Sequence, residues 1–206
     1  DGDLSPLKQI TEISNKTNAI TIVDDAHGDF VIGKDGKGTP DHFKVAKKID
    51  LYISSLSKGL GSFGGYVSSH NNVIDLCINK SKSFIYTSAL PSFLVEYSFK
   101  RFQSNREKQK RELVKNIEQL TKGLKQLGFE INSPSQIIPI IIGDEKKAMK
   151  FGKFLSDNGV YAQPIRYPTV PKNQARLRIS VTAWLSGTEI ENSLVIFEKA
   201  YKKFYG

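Results

Sequence analysis

The stretch Ala19-Ile20-Thr21-Ile22-Val23-Asp24-Asp25-Ala26-His27-Gly28 indicates the fold of this chain of 206 residues. Its first five residues are apolar or β-branched, and the run stops abruptly at two aspartates, which is typical of a buried parallel strand. Acidic residues at the carboxyl end of such a strand lie where open α/β sheets bind ligands. We therefore expect an α/β fold with a candidate site at Asp24, Asp25 and His27.

The same pattern allows a purely structural interpretation. One of the two aspartates would cap the following loop, and His27 would be an ordinary loop residue. An Asp-x-x-His metal site is a further alternative, but two ligands without a third candidate nearby make a weak metal site. The spacing alone leaves these interpretations open.

A second apolar run, residues 51–56, ends at Ser57-Lys58-Gly59 inside a stretch rich in serine and glycine. A lysine directly after a buried strand is held by a rigid element, and the backbone N–H groups of such a turn favour an anion such as phosphate. Once it loses its proton, this lysine can attack a carbonyl group. The glycines do not follow the order of a Walker A motif, which argues against a nucleoside triphosphatase.

The rest of the chain alternates between helix and strand patterns. Residues 65–69 and 84–87 are predicted as strands around a short helix over residues 71–80, and a helical pattern covers residues 93–127 before Gly128. The remaining predictions are a helix from Leu4 to Ile13, strands over residues 137–142, 160–164 and 176–182, a helix from Asp144 to Asn158, and a last helix opened by a capping box of Thr188 and Glu191. The pattern therefore predicts two domains, an α/β domain over residues 1–104 and a smaller α+β domain over residues 105–206.

Composition limits the class of protein. Lys and Arg number 30 against 21 Asp and Glu, a formal net charge of +9. No apolar run approaches the roughly 20 residues that a membrane span needs. The single cysteine, Cys77, excludes an intrachain disulfide and favours a reducing compartment, so we expect a cytoplasmic protein without membrane contact. The first residues show neither an initiator Met nor a signal-peptide pattern, so we expect the chain to begin within a longer protein.

Much of the positive charge lies in one segment. Residues 100–125 hold nine Lys or Arg and three Glu, a stripe that could attract nucleic acid. The pairs Glu107 with Arg111 and Glu118 with Lys122 have the i,i+4 spacing of ion pairs on a solvated helix face. Because no nucleic-acid-binding motif accompanies the stripe, we expect no nucleic-acid partner and keep a basic binding module only as a remote alternative.

Five motifs occur in one order along the chain. They are Asp1-Gly2-Asp3, Val23-Asp24-Asp25-Ala26-His27-Gly28, Ser57-Lys58-Gly59-Leu60-Gly61, Phe84-Ile85-Tyr86-Thr87-Ser88-Ala89-Leu90-Pro91 and Arg176-Leu177-Arg178-Ile179. In this order and spacing the sequence resembles the α-oxoamine synthases, which are pyridoxal phosphate (PLP) enzymes of fold type I. The resemblance implies the C-terminal part of the large, mostly parallel PLP-binding domain, followed by the smaller α+β domain, with the boundary near Ser104.

The resemblance also implies catalytic and cofactor-binding roles in the first part of the chain. Asp24 would pair with the pyridine nitrogen of PLP, and His27 would hydrogen-bond its phenolic oxygen. Lys58 would bind the cofactor aldehyde and later act as the base that takes the α-proton of the substrate. Ser55, where the family usually has a threonine, would contact the phosphate. The resemblance implies no metal.

Further implied residues concern a second subunit and the substrate. Ser88, or Thr87, would reach the phosphate bound in the partner subunit, which implies a homodimer with shared active sites. Arg178 would bind the carboxylate of the amino acid. The alternation of Arg176-Leu177-Arg178-Ile179 places both arginines on one strand face, and a guanidinium binds a carboxylate in bidentate fashion. For Arg176 we expect a surface ion pair instead.

The implied reaction joins an amino acid to an acyl thioester with loss of CO₂. Within the family, the motifs are most similar to the member that condenses L-alanine with pimeloyl-CoA, or pimeloyl carrier protein, in biotin synthesis. Members that use glycine with an acetyl donor or serine with a palmitoyl donor share the same motifs. The chain departs from the family at Asp29-Phe30, where the family usually has a small residue followed by glycine. It also lacks the family's N-terminal half, which would supply a ring-stacking aromatic residue and a Gly-rich phosphate loop.

Overall fold

In the computed structural model, which describes residues 1–206, β1 (Ile22–Asp24) ends at the predicted position. It pairs in parallel with β2 (Leu51–Ser55), and β2 pairs antiparallel with β3 (Gly65–Ser69), so β2 is the central strand. Ile20 and Ile22 are 76% and 60% exposed, so the expected burial of this run is wrong. An apolar, β-branched run predicts a strand, whereas its burial depends on the layers that pack on it.

The chain divides into two compact units, and the first comprises residues 5–105. Besides the sheet it holds a short 3₁₀ turn at Ala46–Lys48 and five helices. The helices are α1 (Leu7–Thr17), α2 (Thr39–His42), α3 (Asn71–Lys80), α4 (Lys82–Ile85) and α5 (Ser92–Gln103). The buried apolar side chains of this unit are those of Leu7, Pro40, Val45 and Leu60, whereas residues 84–102 expose many large ones.

Residues 84–87 do not form the predicted strand. They belong to or follow α4, in which the N–H groups of Phe84 and Ile85 donate to the carbonyl oxygen of Ser81 at 3.0 and 2.9 Å. A short apolar run does not distinguish a strand from a helical turn, and here no neighbouring strand offers hydrogen bonds. The nearby helix α3 continues directly into α4 through Ser81.

The second unit comprises residues 106–206 together with residues 1–4. Its elements are α6 (Glu107–Gln126), β4 (Ile137–Gly143), α7 (Glu145–Asp157), β5 (Gln163–Ile165), β6 (Ala175–Ser180) and α8 (Gly187–Tyr205). The sheet order is β4-β6-β5, with both pairings antiparallel. Fully buried Ile138 and Ile140 of β4 and Leu177 of β6 pack with Phe151 of α7 and Phe197 of α8 into one hydrophobic core.

Two helices replace the single helical segment predicted over residues 93–127. Helix α5 ends at Gln103 and α6 begins at Glu107, with Ser104 in an extended conformation between them. Glu107 and Arg111 form the expected ion pair at 3.7 Å. Gly128, with φ +94°, ends the helical run as predicted, because the left-handed region is readily open only to glycine. No helix in the structure is long and apolar enough to cross a membrane.

Helix α8 begins two residues earlier than predicted. Its capping box consists of Ser186 and Glu189, not of Thr188 and Glu191. The Ser186 hydroxyl accepts from the Glu189 N–H at 3.2 Å, and the Glu189 carboxylate accepts from the Ser186 N–H at 2.7 Å. The hydrogen bonds that the Ser186 N–H and hydroxyl donate to the Glu189 carboxylate lower the pKa of Glu189 below its ordinary value. Two overlapping Ser/Thr-x-x-Glu matches exist in the sequence, and the pattern alone does not choose between them.

Ser186→Ala should lower the free energy of unfolding by about 1 kcal/mol, because it leaves an N-terminal N–H group of α8 without its acceptor. Thr188→Ala, two residues further along the same exposed helix end, is the matched control and should change stability by less than about 0.5 kcal/mol. Denaturant unfolding monitored by circular dichroism measures both. A larger loss for Thr188→Ala than for Ser186→Ala would contradict the observed cap.

Candidate functional site

The ends of β1 and β2 bring together the first two predicted site residues. Asp24 is paired with Ile53 in the parallel register, and Ser55 lies two residues further along β2. Paired residues in neighbouring strands share a face, and residues two apart on a strand share it as well. Asp24 and Ser55 therefore lie on the same face at the carboxyl end of the two parallel strands, which is the ligand-binding end of such sheets.

Lys58 lies in the turn that follows β2. The Ser55 hydroxyl accepts from the Ser57 N–H at 3.2 Å, and the Gly61 N–H donates to the Lys58 carbonyl oxygen at 3.0 Å. Leu60, 1% exposed, anchors the turn, whereas the Lys58 side chain is exposed. The Lys58 amine is therefore held by a defined turn, three residues after Ser55 and beyond the strand end at which Asp24 and Ser55 lie.

The sequence left open which of the two aspartates has a structural role. In the structure, Asp25 has that role. It is 6% exposed, and its carboxylate accepts from the Thr39 N–H and hydroxyl, both at 2.6 Å, and from the Tyr52 hydroxyl at 2.9 Å. Asp24, in contrast, is exposed and accepts from the Ala26 N–H at 3.0 Å. The structure contains no group of three His, Cys, Asp or Glu that could hold a metal ion.

A second buried carboxylate, which the sequence analysis did not single out as functional, lies in the same loop. Asp29 is 6% exposed and accepts from the hydroxyls of Ser54 and Tyr66, each at 2.6 Å. Ser54 and Tyr66 are directly opposite each other in the β2–β3 pair. The alternation of Tyr52 and Ser54 along β2 was the available signal, since it places two hydroxyls on one strand face.

Both tyrosines of this cluster are held in the protonated state. Burial and the carboxylates of Asp25 and Asp29 raise the pKa of Tyr52 well above its ordinary value. Burial and the hydrogen bond to Asp29 raise the pKa of Tyr66 in the same direction. Because a raised pKa favours the neutral phenol, both hydroxyls remain donors to the carboxylates at neutral and moderately alkaline pH.

Phe30 occupies a backbone conformation that explains why a glycine is expected at its position. Its φ is +63°, in the left-handed region that costs a bulky residue free energy. Its ring meets that of Phe102 edge-on at 6.3 Å, and an added Cβ on Gly59 would lie 2.9 Å from the Cβ of Phe30. The loop after His27 therefore packs directly against the turn that carries Lys58.

Arg178 lies in β6 of the second unit. It is paired with Pro139 of β4 and Gln163 of β5, and it is half-buried on the central strand. Arg176, two residues earlier, is 7% exposed and forms an ion pair with the Asp1 carboxylate, so the expected surface position of Arg176 is wrong. Its partner is 175 residues away in the sequence, which no local pattern indicates.

A model of the family described as aminotransferase class I and II matches residues 1–196. The chain belongs to this family. The 8-amino-7-oxononanoate synthases of Thermoanaerobacter pseudethanolicus and Treponema denticola are 40% and 37% identical to it, each over 206 residues. These alignments cover 98% of this chain and 52% of each relative. The chain therefore spans about half the length of the curated relatives it matches.

Solved structures match nearly all of the chain. Serine palmitoyltransferase of Sphingomonas wittichii matches with a TM-score of 0.91 at 27% identity, covering 98% of this chain and 52% of that one. The same enzyme from S. paucimobilis, solved with a bound PLP–myriocin aldimine, matches with a TM-score of 0.91 at 26% identity and the same coverage. The 8-amino-7-oxononanoate synthase of Francisella tularensis matches with a TM-score of 0.79 at 25% identity, covering 96% of this chain and 59% of that one. The predicted resemblance and fold type are confirmed.

The remaining predicted site residues of this family member, Thr87 and Ser88, follow α4 in an irregular segment. Both are exposed, and the Thr87 N–H donates to the Phe84 carbonyl oxygen at 3.4 Å. The large apolar side chains on either side of them are exposed as well, with Tyr86 at 83% and Phe93 at 67%. Large exposed apolar side chains concentrated in one segment are typical of an interaction surface.

Gly59→Ala should lower the free energy of unfolding by about 1–3 kcal/mol, because overpacking displaces neighbouring atoms. The added methyl would lie 2.5 Å from the Asp29 carbonyl oxygen as well as close to Phe30. Gly187→Ala is the control, since its nearest neighbour would be 3.6 Å away and it lies in a helix, where alanine is favoured. Equal stabilities of the two variants in denaturant unfolding would show that the turn and the loop are not in contact.

Proposed function

We propose that this chain is part of a PLP-dependent acyltransferase. Its reaction would condense L-alanine with pimeloyl-CoA, or with pimeloyl carrier protein, and release CO₂ and the thiol carrier to give 8-amino-7-oxononanoate, a step of biotin synthesis. The observation that carries the proposal is the position of Asp24, Ser55 and Lys58 at the carboxyl end of two adjacent parallel strands. Identity of 40% to an 8-amino-7-oxononanoate synthase supports the choice of substrates.

The side chains at this strand end fit the functional groups of PLP. The exposed carboxylate of Asp24 suits a protonated pyridine nitrogen, and the exposed imidazole of His27 suits a phenolic oxygen. The Ser55 hydroxyl and the N–H groups of the following turn suit a phosphate. The primary amine of Lys58 suits an aldehyde. The four residues therefore carry one complementary group for each part of the cofactor.

When bound, PLP supplies an electron sink for negative charge that develops at Cα of the amino acid. Asp24 keeps the ring nitrogen protonated, because a neighbouring carboxylate favours the charged form of a base. The Lys58 amine would hold the cofactor through its aldehyde and would take the α-proton of the substrate as a general base. His27 would orient the cofactor ring through its phenolic oxygen.

Two more groups complete the proposed site. The guanidinium of Arg178 binds the carboxylate of the amino acid until that carboxylate leaves as CO₂. Ser88, with Thr87 as the alternative, contacts the phosphate bound in the second subunit of a homodimer. The exposed apolar side chains of residues 84–102 support such an association. A cytoplasmic location, favoured by the single cysteine, remains a prediction.

Lys58→Ala should abolish the covalent adduct that borohydride traps between PLP and the protein, because the substitution removes the amine that binds the aldehyde. When it is supplied with the N-terminal half of the family and with PLP, the unaltered protein should be yellow and should yield one modified peptide that contains Lys58. Lys47→Ala, also exposed and outside the site, is the control and should leave the adduct intact. Peptide mass spectrometry after reduction locates the adduct, and modification of a different lysine would refute the proposed role of Lys58.

A sister reaction is the second candidate function. The structural match to serine palmitoyltransferase, with a TM-score of 0.91, exceeds that to the solved 8-amino-7-oxononanoate synthase, with 0.79. Sequence identity points the other way, with 40% to a synthase against 27% to the transferase. Glycine C-acetyltransferase chemistry is a related possibility, because the proposed residues do not distinguish these amino acids.

L-Alanine should be the preferred amino acid of the PLP-loaded protein, with a kcat/KM at least about tenfold above those of glycine and L-serine, which corresponds to about 1.4 kcal/mol. Release of the free thiol from acyl-CoA measures the rate for each amino acid with pimeloyl and palmitoyl donors. Serine with the palmitoyl donor as the best pair would replace the first candidate by the second.

A further inference from the structure

The buried carboxylates of Asp25 and Asp29 fix the position of the loop after β1, which carries the candidate cofactor residue His27. The partners of Asp25 and Asp29 are hydroxyls and backbone N–H groups. Each carboxylate is only 6% exposed. A buried charge is retained only where hydrogen bonds replace its hydration, so these contacts fix the positions of both side chains.

The side chains that donate hydrogen bonds to these two carboxylates lie on one face of the sheet. Tyr52 and Ser54 are two residues apart on β2 and share that face, and Tyr66 lies opposite Ser54 on β3. Their hydroxyls hold Asp25 and Asp29 on the face opposite to that of Asp24 and Ser55. One side of the sheet therefore anchors the loop, and the other side presents the candidate cofactor residues.

His27 lies between the two anchored aspartates. Within this loop the N–H groups of Gly28 and Asp29 donate to the Asp25 carbonyl oxygen at 2.9 and 2.8 Å, so the segment forms a closed turn. A shift of Asp29 would therefore move His27 as well. Asp24, which directly precedes Asp25, is tied to the other end of the same turn.

The same loop also touches the turn of Lys58. The Asp29 carbonyl oxygen would lie 2.5 Å from a Cβ added to Gly59, and the Cβ of Phe30 would lie 2.9 Å from it. Gly59 directly follows Lys58 and has no side chain that could absorb a displacement. Movement of Asp29 is thus transmitted both to His27 and to the backbone beside Lys58.

We propose that Asp29, held by Ser54 and Tyr66, is a positioning residue that aligns His27 with the Lys58 turn. The inference rests on the proposed function, since the alignment matters only if His27 and Lys58 contact the same cofactor. Asp29 itself faces the opposite side of the sheet and acts through the loop. Its effect should therefore appear in the properties of the bound cofactor and in the rate of reaction, beyond any effect on stability.

Tyr66→Phe tests this with the least disturbance, because it removes one hydroxyl and keeps the ring. In the PLP-loaded protein, the pH midpoint of the absorption band of the Lys58-bound cofactor should shift by about half a unit or more, since His27 then contacts the phenolic oxygen less well. The kcat should fall about tenfold to a hundredfold, while the KM for the amino acid changes less than about twofold, because a misplaced group loses rate rather than binding.

Ser54→Ala removes the other donor to the same carboxylate oxygen and serves as the second variant if Tyr66→Phe does not fold. It should shift the midpoint in the same direction. Tyr161→Phe, which is 76% exposed and lies outside both the candidate site and residues 84–102, is the matched control and should leave midpoint and kcat unchanged.

The outcomes separate the two claims. If the unaltered protein forms the borohydride-stable adduct at Lys58 but both variants keep its midpoint and kcat, then Asp29 is merely structural and the positioning role is refuted. A loss of thermal stability without a change in the pH midpoint of the cofactor band would likewise refute the positioning role. If the unaltered protein forms no adduct at Lys58, the proposed function fails and the inference falls with it.

Discussion

The buried carboxylate of Asp25 is the contact on which the candidate site depends. It joins three parts of the chain, since it directly follows β1, accepts two hydrogen bonds from Thr39 at the start of α2, and accepts one from the hydroxyl of Tyr52 on β2. Removing one partner from a buried carboxylate costs more than the hydrogen bond itself, because the charge stays desolvated. The glycines at positions 28 and 38 leave room for this carboxylate, since an added Cβ at either would overlap it.

The neighbouring residues Asp24 and Asp25 have different roles because of the strand geometry. Successive residues at a strand end point to opposite faces, so Asp24 and Asp25 cannot both serve the same purpose. Asp25 turns to the polar face of Tyr52 and Ser54, and Asp24 remains on the face of Ser55. An adjacent pair of acidic residues therefore provides both an anchor and an exposed carboxylate, and the anchor keeps the exposed one in place.

The sequence predicted those parts of the site that depend on local order. An apolar run that stops at polar residues locates a strand end, and this was sufficient to place Asp24 and Lys58 directly after two strands, whereas Ser55 was indicated by the family resemblance. It could not identify Tyr66 as a partner of Asp29, because the two are 37 residues apart and meet only after β2 and β3 have paired. The failure at residues 84–87 has a different cause, because a run as short as Phe84-Ile85-Tyr86-Thr87 fits a strand and a helical turn equally well. The boundaries of α8 were missed by two residues because two capping patterns overlap.

The departure at Phe30 shows how a local conflict is resolved by the surrounding structure. A phenylalanine in the left-handed region costs on the order of 1–3 kcal/mol, and the sequence offers a glycine two residues earlier but not here. The conformation persists because Asp29 is anchored directly before it, and because the ring of Phe30 finds an edge-on partner in Phe102. Unlike a glycine, a phenylalanine in this position has few alternative backbone conformations, so the loop has little freedom once Asp29 is bound. Phe30 therefore strains the backbone of the loop and also limits the conformations that the loop can adopt. This limit extends, through the contact with Gly59, to the turn of Lys58.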